Sequence, residues 1–258
     1  MPNAPVFERT LQANLPSIEP VIHYPESDGK PVGETDWHIS VIFYLRAVLR
    51  FFFRHHADVY TAADMLFYYE EGEPTVFKVP DVFVVKGVAK HDRRIYKLWE
   101  EKAVPCVIFE ITSRSTRWAD VGEKKALYEF LGIQEYFLFD PLDEYLKPRL
   151  QGFRLVRGQY MPIPLKNGAF TSQELGLILR PAGHMLRVID PETGEALPSL
   201  EEAAEKAVEA TEMARLETQR AQAETQRAQA ETQRADAAEA EAARLRAELE
   251  QVKRQQTG

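Results

Sequence analysis

The chain has 258 residues, 45% of them hydrophobic and 28% charged, which suits one sizeable core with an appendage and excludes a wholly disordered polypeptide. Its formal net charge of -8 argues against nonspecific adhesion to nucleic acid, because polyanion binding is driven by Lys and Arg displacing counterions. That charge averages unlike parts: 13 acidic and 9 basic residues fall between Glu201 and Gly258, so the rest is only mildly acidic and leaves room for a local basic groove.

The opening MPNAPVFERT lacks the charged-then-apolar pattern of a secretory signal, and the one cysteine, Cys106, has no partner for an internal disulfide. The longest apolar stretch, Val41 to Phe53, is broken by Arg46 and Arg50 and is shorter than the roughly 18 residues of a membrane span. A cytoplasmic protein with no membrane segment is expected.

Along the chain, Val41, Ile42, Leu45, Val48, Leu49 and Phe52 recur at the three-and-four spacing of one helix face, with Thr35 or Asp36 suited to cap its start, which predicts a helix over about 36–54. Strand-like runs follow at Val59–Thr61, Met65–Tyr69, Val82–Val85 and Cys106–Thr112. Val107-Ile108-Phe109 has no polar alternation and suits a central strand covered on both faces. A second helix is expected from about Arg117 to Leu131, closed by Gly132, and EYFLFD at 135–140 reads as another strand stopped by Pro141. Phe153–Val156, Tyr160–Ile163 and Leu175–Leu179 look like shorter strands on that core.

A change in composition divides the chain near Pro198. All sixteen prolines lie at or before that residue, and no Phe, Trp or Tyr follows Phe170. The two expected parts are a body, 1–198, and a helical tail, 199–258. ETQRAQA at Glu217 and Glu224 and ETQRADA at Glu231 give the tail a seven-residue period. Its seam, Thr218, Ala221, Thr225, Ala228, Thr232 and Ala235, buries little apolar area, so a solvated single helix and a loosely paired coil both remain open.

Two carboxylates stand where folding alone would not put them. Asp81 follows Pro80 at the mouth of VFVV, and Glu110 interrupts VIFEIT. An ionised carboxylate in or beside a central strand is costly unless it is paired or holds a metal. Taken singly, Asp81 suits a turn cap and Glu110 a solvent-facing strand end. A third residue shifts the balance: Val121, Lys124, Tyr128 and Leu131 form one stripe, so Lys124 points toward the sheet unless its ammonium snorkels to water.

Two acids and a lysine suit phosphodiester hydrolysis, with the acids holding a hard divalent cation such as Mg²⁺ or Mn²⁺ and the lysine beside the attacking water. Glu34 and His38, four apart at the start of the first helix, either join that site as a metal ligand and a phosphate contact or are a dipole-favoured acid and a surface histidine. Arg114, Arg117 and Trp118 are candidate backbone contacts. His91, Arg93, Arg94 and Lys97, with Tyr96 and Trp99, form a second basic aromatic stretch.

The strings GETDWH (33–38), PDVFVV (80–85) and FEITSRSTRWADVGEKKALYEFLGIQEYFLFDP (109–141) resemble the Uma-two family of the restriction-endonuclease-like PD-(D/E)XK superfamily over roughly Gly33 to Val156. The resemblance implies an α/β fold, a mixed sheet flanked by helices with a long C-terminal helix or coiled coil beyond it, and a divalent-metal active site. By position, Asp81 and Glu110 match the metal-binding acids and Glu34 the acid that precedes the first helix. The backbone carbonyl of Ile111 is a further metal oxygen in related nucleases. Thr112 stands where the superfamily's usual lysine would be, and Lys124 is the candidate replacement, with Lys125 exchanging for it if the helix phase is off by one.

The functional expectation is a Mg²⁺-dependent endonuclease acting on DNA, working as a homodimer or a tail-mediated homo-oligomer. The rival is a non-catalytic binding or assembly protein that keeps the nuclease-like fold and oligomerises through its tail.

Overall fold

The structure is a computed structural model that describes residues 22–29 and 35–256. Glu34 lies outside the described residues. The chain divides into two compact units between Ser199 and Leu200.

In the first unit, helix α1 spans Asp36–Phe52 and continues as one 3₁₀ turn, Phe53–His55. Thr35 caps it, its side chain accepting from the His38 amide at 3.3 Å. The apolar stripe of α1 packs on a six-stranded sheet built from β1 (Val59–Ala63), β4 (Val82–Lys86), β6 (Val107–Ile111), β7 (Glu135–Phe139), β8 (Leu150–Val156) and β9 (Gln159–Pro162), in that spatial order. Only β6 and β7 pair in parallel, so the sheet is mixed. These two central strands are buried at every position, as the unbroken apolar run in β6 implied.

One sheet face, carrying Val82, Val84, Phe109 and Phe137, lies under α1 and the three-stranded sheet β10 (Phe170–Thr171), β11 (Ile178–Ala182) and β12 (Met185–Ile189). The other face, carrying Phe83, Ile108, Tyr136 and Leu138, is covered by Tyr128 and Ile133 and by residues around β2 (Phe67–Tyr68) and β5 (Tyr96–Lys97), where β2 pairs with both β5 and β3 (Phe77–Lys78). The mixed sheet flanked by helices is thus present, with an aliphatic hairpin on one side that sequence patterning only half revealed. The expected strand at Leu175–Leu179 begins instead at Ile178, after a turn with Gly176 at φ +69°, and runs through Pro181. Proline is tolerated there because β10 pairs only with Ile178 and Leu179, which leaves the far end of β11 open on that side.

The connection from β6 to β7 is short helix α3 (Arg117–Ala119), a wide π turn (Asp120–Lys124) and helix α4 (Lys125–Leu131), preceded earlier in the chain by the one-turn helix α2 (Leu98–Glu101). Gly132, at φ +83°, ends α4 in the left-handed conformation, and the Ile133 amide then reaches back to the Tyr128 carbonyl at 3.0 Å.

The start of β7 is pinned by a fully buried acid. Glu135 accepts from Arg154 Nη2 at 2.7 Å, from the Gln173 amide at 2.9 Å and from the Ser172 hydroxyl, so it ties β8 and the approach to β11 to the sheet centre. At the other end of β7, Asp140 accepts from the amides of Leu142 (3.0 Å), Tyr145 (2.5 Å) and Leu146 (3.0 Å), which folds the 141–146 loop into one shape.

The second unit is one helix, α5 (Leu200–Gln256). Thr211, Thr218, Thr225 and Thr232 each donate to the carbonyl four residues back, at 2.8 to 3.0 Å. No helix among the described residues is long and apolar enough to cross a membrane.

Replacing Glu135 with alanine takes the acceptor from the Arg154 guanidinium, the buried Ser172 hydroxyl and the amides of Gln173 and Glu174. Stability is expected to fall by about 3–5 kcal/mol, as read from urea unfolding, and a loss under about 1 kcal/mol would show that water reaches these donors.

Candidate active site

Strand register brings the two unusual acids together. Val82 pairs with Phe109 across β4 and β6, so one step further the facing positions are 81 and 110. Asp81 sits at the strand end, where its Oδ2 accepts the Ile111 amide at 2.5 Å and its Oδ1 lies 3.4 Å from Nε2 of buried His38 on α1. His38, which the sequence left open between a phosphate contact and a surface histidine, is instead buried and supports Asp81 across the end of the sheet.

Glu110 lies on the face of β6 that carries Ile108 and that Tyr128 covers, and only 1% of it is exposed. Its two oxygens are divided between two helix residues: Lys124 Nζ donates to Oε2 at 2.8 Å and the Tyr128 hydroxyl to Oε1 at 2.9 Å. Lys124 Nζ is also 3.0 Å from Oδ1 of Asp120, another buried acid, whose backbone carbonyl accepts the Tyr136 hydroxyl at 2.9 Å. Lys125 turns away and sets its ammonium 3.8 Å from the centre of the Phe153 ring. Of these two neighbouring lysines, Lys124 is the one that meets the strand carboxylate Glu110.

The π turn explains how Asp120, Lys124 and Tyr128 share one line. In an α-helix each step of four residues advances about 40° around the axis, so residues eight apart drift by about 80°. A turn with five-residue closure takes part of that advance back, which keeps all three side chains on the sheet side.

Three acids, Asp81, Glu110 and Asp120, thus face one lysine in a largely dry place. Burial pushes the Glu110 carboxyl up to about 8 against the pull of Lys124, with Asp81 and Asp120 adding to the rise. Burial likewise raises Asp120. Burial draws the Lys124 ammonium down, but Glu110, Asp120 and Asp81 more than reverse this and hold it above the ordinary lysine value. Asp64, whose amide donates to the Asp81 carbonyl at 3.1 Å, is raised by burial and then by the Asp81 charge.

Among the described residues no group of three or more His, Cys, Asp or Glu side chains is gathered as a metal cage. The donors nevertheless fit a small hard cation, because Mg²⁺ is commonly held by one or two carboxylates while it keeps several waters. Three carboxyl groups, Asp81, Glu110 and Asp120, stand around the one ammonium of Lys124, and a divalent ion beside them would favour their ionised forms.

The second basic stretch is largely spent within the fold. Arg93 pairs with Glu101 at 2.5 Å and lies over the Tyr60 ring, Lys97 pairs with Glu100 at 2.9 Å, Arg94 meets Glu26, and the buried Tyr96 hydroxyl donates to the Ala103 carbonyl. Sequence reasoning gave no role to Asp120 or to the hydroxyl of Tyr128. The available signal was their four-residue spacing about Lys124.

The molecule is, at this level, an α/β protein with acids and a lysine collected where central strands end. The Uma2 family, described as "Putative restriction endonuclease", matches residues 13–180, more than half of the chain, and the chain belongs to this family. A solved structure described as "a putative nuclease belonging to DUF820" from Anabaena variabilis ATCC 29413 is 13% identical, with 60% of this chain and 87% of that chain covered and a TM-score of 0.44. Curated proteins give no match.

A raised Glu110 has a definite consequence for stability. Between its ordinary 4.5 and about 8 the folded chain holds a proton that the unfolded chain releases, so stability falls as pH rises through that window. Denaturant midpoints at pH 5, 6, 7 and 8 check this, and Glu110→Gln is expected to flatten the decline. An equal slope in both proteins would assign it to other groups.

Proposed function

We propose that this chain is a divalent-metal-dependent endonuclease that hydrolyses DNA phosphodiesters. The observation that carries the reading is the Lys124–Glu110 contact: a lysine delivered from the π turn stands in for the one that Thr112 replaces two residues after the acid.

Asp81, Glu110 and the Ile111 carbonyl would hold Mg²⁺ or Mn²⁺, which when bound polarises the phosphate and acidifies a water. Asp81 is already oriented by the Ile111 amide and by His38, so little side-chain freedom is lost on binding. Lys124, kept protonated by its acids, would orient the attacking water through its third N–H bond and offset charge that grows on the phosphoryl oxygens. Tyr128 fixes the Glu110 carboxylate plane from the other side. Glu34 would assist as an outer ligand from the chain just ahead of α1. The DNA substrate is read from family membership together with this acid and lysine set.

Plasmid cutting in Mg²⁺ or Mn²⁺ is expected to fall at least about 10²-fold in each of Asp81→Ala, Glu110→Ala and Lys124→Ala. Equal cutting by all four proteins would point to a contaminant or to another site, and no cutting by any would favour the assembly reading. Independently of turnover, Mg²⁺ at about 100 times its dissociation constant is expected to stabilise the wild type by about 2.7 kcal/mol and Asp81→Ala by much less.

For the tail we propose weak self-association through the seam Thr218 to Ala235. Its threonine hydroxyls are bonded back to their own helix, so the seam offers methyl groups, and exposed Leu245, Leu249 and Val252 continue a three-and-four spacing further on. Deleting residues 199–258 is expected to lower the mass seen by light scattering at high concentration. An unchanged mass would place any homodimer in the body.

A further inference from the structure

We infer that the surface beside Asp81 is a binding groove for single-stranded DNA, in which the aromatic side chains of Trp118 and Tyr145 stack an unpaired base and Arg114 holds a phosphate. This rests on the nuclease reading and names the form of substrate that the same site takes.

Two cavities adjoin, sharing Arg114 and Tyr145 in their walls. The first, about 460 Å³, begins at His38, the residue against Asp81, and is lined by the hydroxyl residues Thr35, Thr112, Ser113 and Ser115 and by Arg114. Among the described residues no carboxylate lines it. The Thr112 hydroxyl is buried there without a hydrogen-bond partner, and a buried hydroxyl left unmatched is costly unless something supplies the bond. Hydroxyls, a histidine and an exposed guanidinium suit the phosphates and sugars of a strand leading away from the acids.

The second cavity, about 280 Å³, is aromatic. Trp118 is 73% exposed although it is among the largest apolar side chains, and the Arg117 guanidinium lies 5.1 Å from its ring and 5.8 Å from the Tyr145 ring. Among the described residues neither Arg114 nor Arg117 is ion-paired, in contrast to Arg93 and Arg154. Glu144 also lines this cavity, so its carboxylate repels a phosphate and leaves the space to a base. The walls are held in place: Asp140 fixes the loop that carries Tyr145, and the Arg117 guanidinium donates to the Arg114 carbonyl.

The two halves select for an unpaired strand. Stacking on an exposed aromatic needs a free base face and tolerates any sequence. In a duplex both faces are covered, and a base reaches such a cavity only by flipping out at a cost of a few kcal/mol. An arginine beside the ring adds attraction for the adjoining phosphate and for the base.

The test uses the full-length protein in EDTA, which prevents cutting, and the fluorescence anisotropy of a labelled twelve-nucleotide oligo(dT) and of the same strand annealed to oligo(dA). Tighter binding of the single strand is expected. Trp118→Ala is expected to weaken it roughly 5- to 100-fold and to leave duplex binding nearly unchanged, while Trp118→Phe restores most of the affinity. Arg114→Ala is expected to weaken both and to lower the salt slope by about one. Both positions are exposed, and an unchanged circular dichroism spectrum verifies folding. Equal affinity for the two DNAs, no measurable binding, or a Trp118→Ala protein that holds oligo(dT) as the wild type does would overturn the inference. If Trp118-dependent binding is found but no cutting occurs with Mg²⁺ or Mn²⁺, the endonuclease reading fails and the groove stands. Cutting without Trp118 dependence does the reverse.

Discussion

A lysine and a glutamate held 2.8 Å apart in a dry interior determine much of this structure. Either partner alone would be a buried, uncompensated charge, and such a charge is tolerated only with an opposite one beside it and with its remaining hydrogen bonds made. The rest of the site reads as the means of meeting that condition. Tyr128 supplies the second donor to Glu110, Asp120 a second carboxylate 3.0 Å from Lys124, and Tyr136 ties down the turn that carries Asp120. The π turn is the geometric consequence, since an unbroken α-helix would rotate one of these side chains away.

That network is still unbalanced, because three acids share one lysine. The acids gather on the side of Glu110 and Asp81, at the strand ends, where among the described residues Asp81 is held by a backbone amide and a histidine and pairs with no lysine or arginine. Burial makes the imbalance costly, as the upward displacement of Glu110 records. The chemistry proposed for the site and its cost to folding therefore have one cause, a cluster of carboxylates kept from water in the absence of a matching positive charge.

The surroundings of the site divide along similar lines. Basic residues at 93, 94 and 97 are neutralised by nearby acids and serve the fold, whereas among the described residues Arg114 and Arg117 have no ion pair and lie next to hydroxyls and aromatic rings. The distinction was not visible in sequence, where both stretches mix basic and aromatic residues. It depends on which acids fold back within reach: Glu26, Glu100 and Glu101 do so for the first stretch, while Glu144 lines the cavity of the second beside Tyr145 and among the described residues pairs with neither arginine.

Sequence alone determined the elements whose signals are local. The stripe of α1, the apolar run of β6, the glycine that ends α4 and the composition break before the long helix all follow from side-chain periodicity or backbone preference. It also marked Asp81 and Glu110 as misplaced, because a charge in an apolar run needs no coordinates to be noticed. What tertiary structure decided was every choice between near-equal neighbours: Lys124 over Lys125, His38 against Asp81, and the hairpin at 178–189 with a proline inside it. A helix face can be read to within about one residue, or 100°, and the wide turn shifts that phase by an amount set by the sheet against which the helix packs. The partner of a buried charge lies on another element, so its identity arises only when the strands pair.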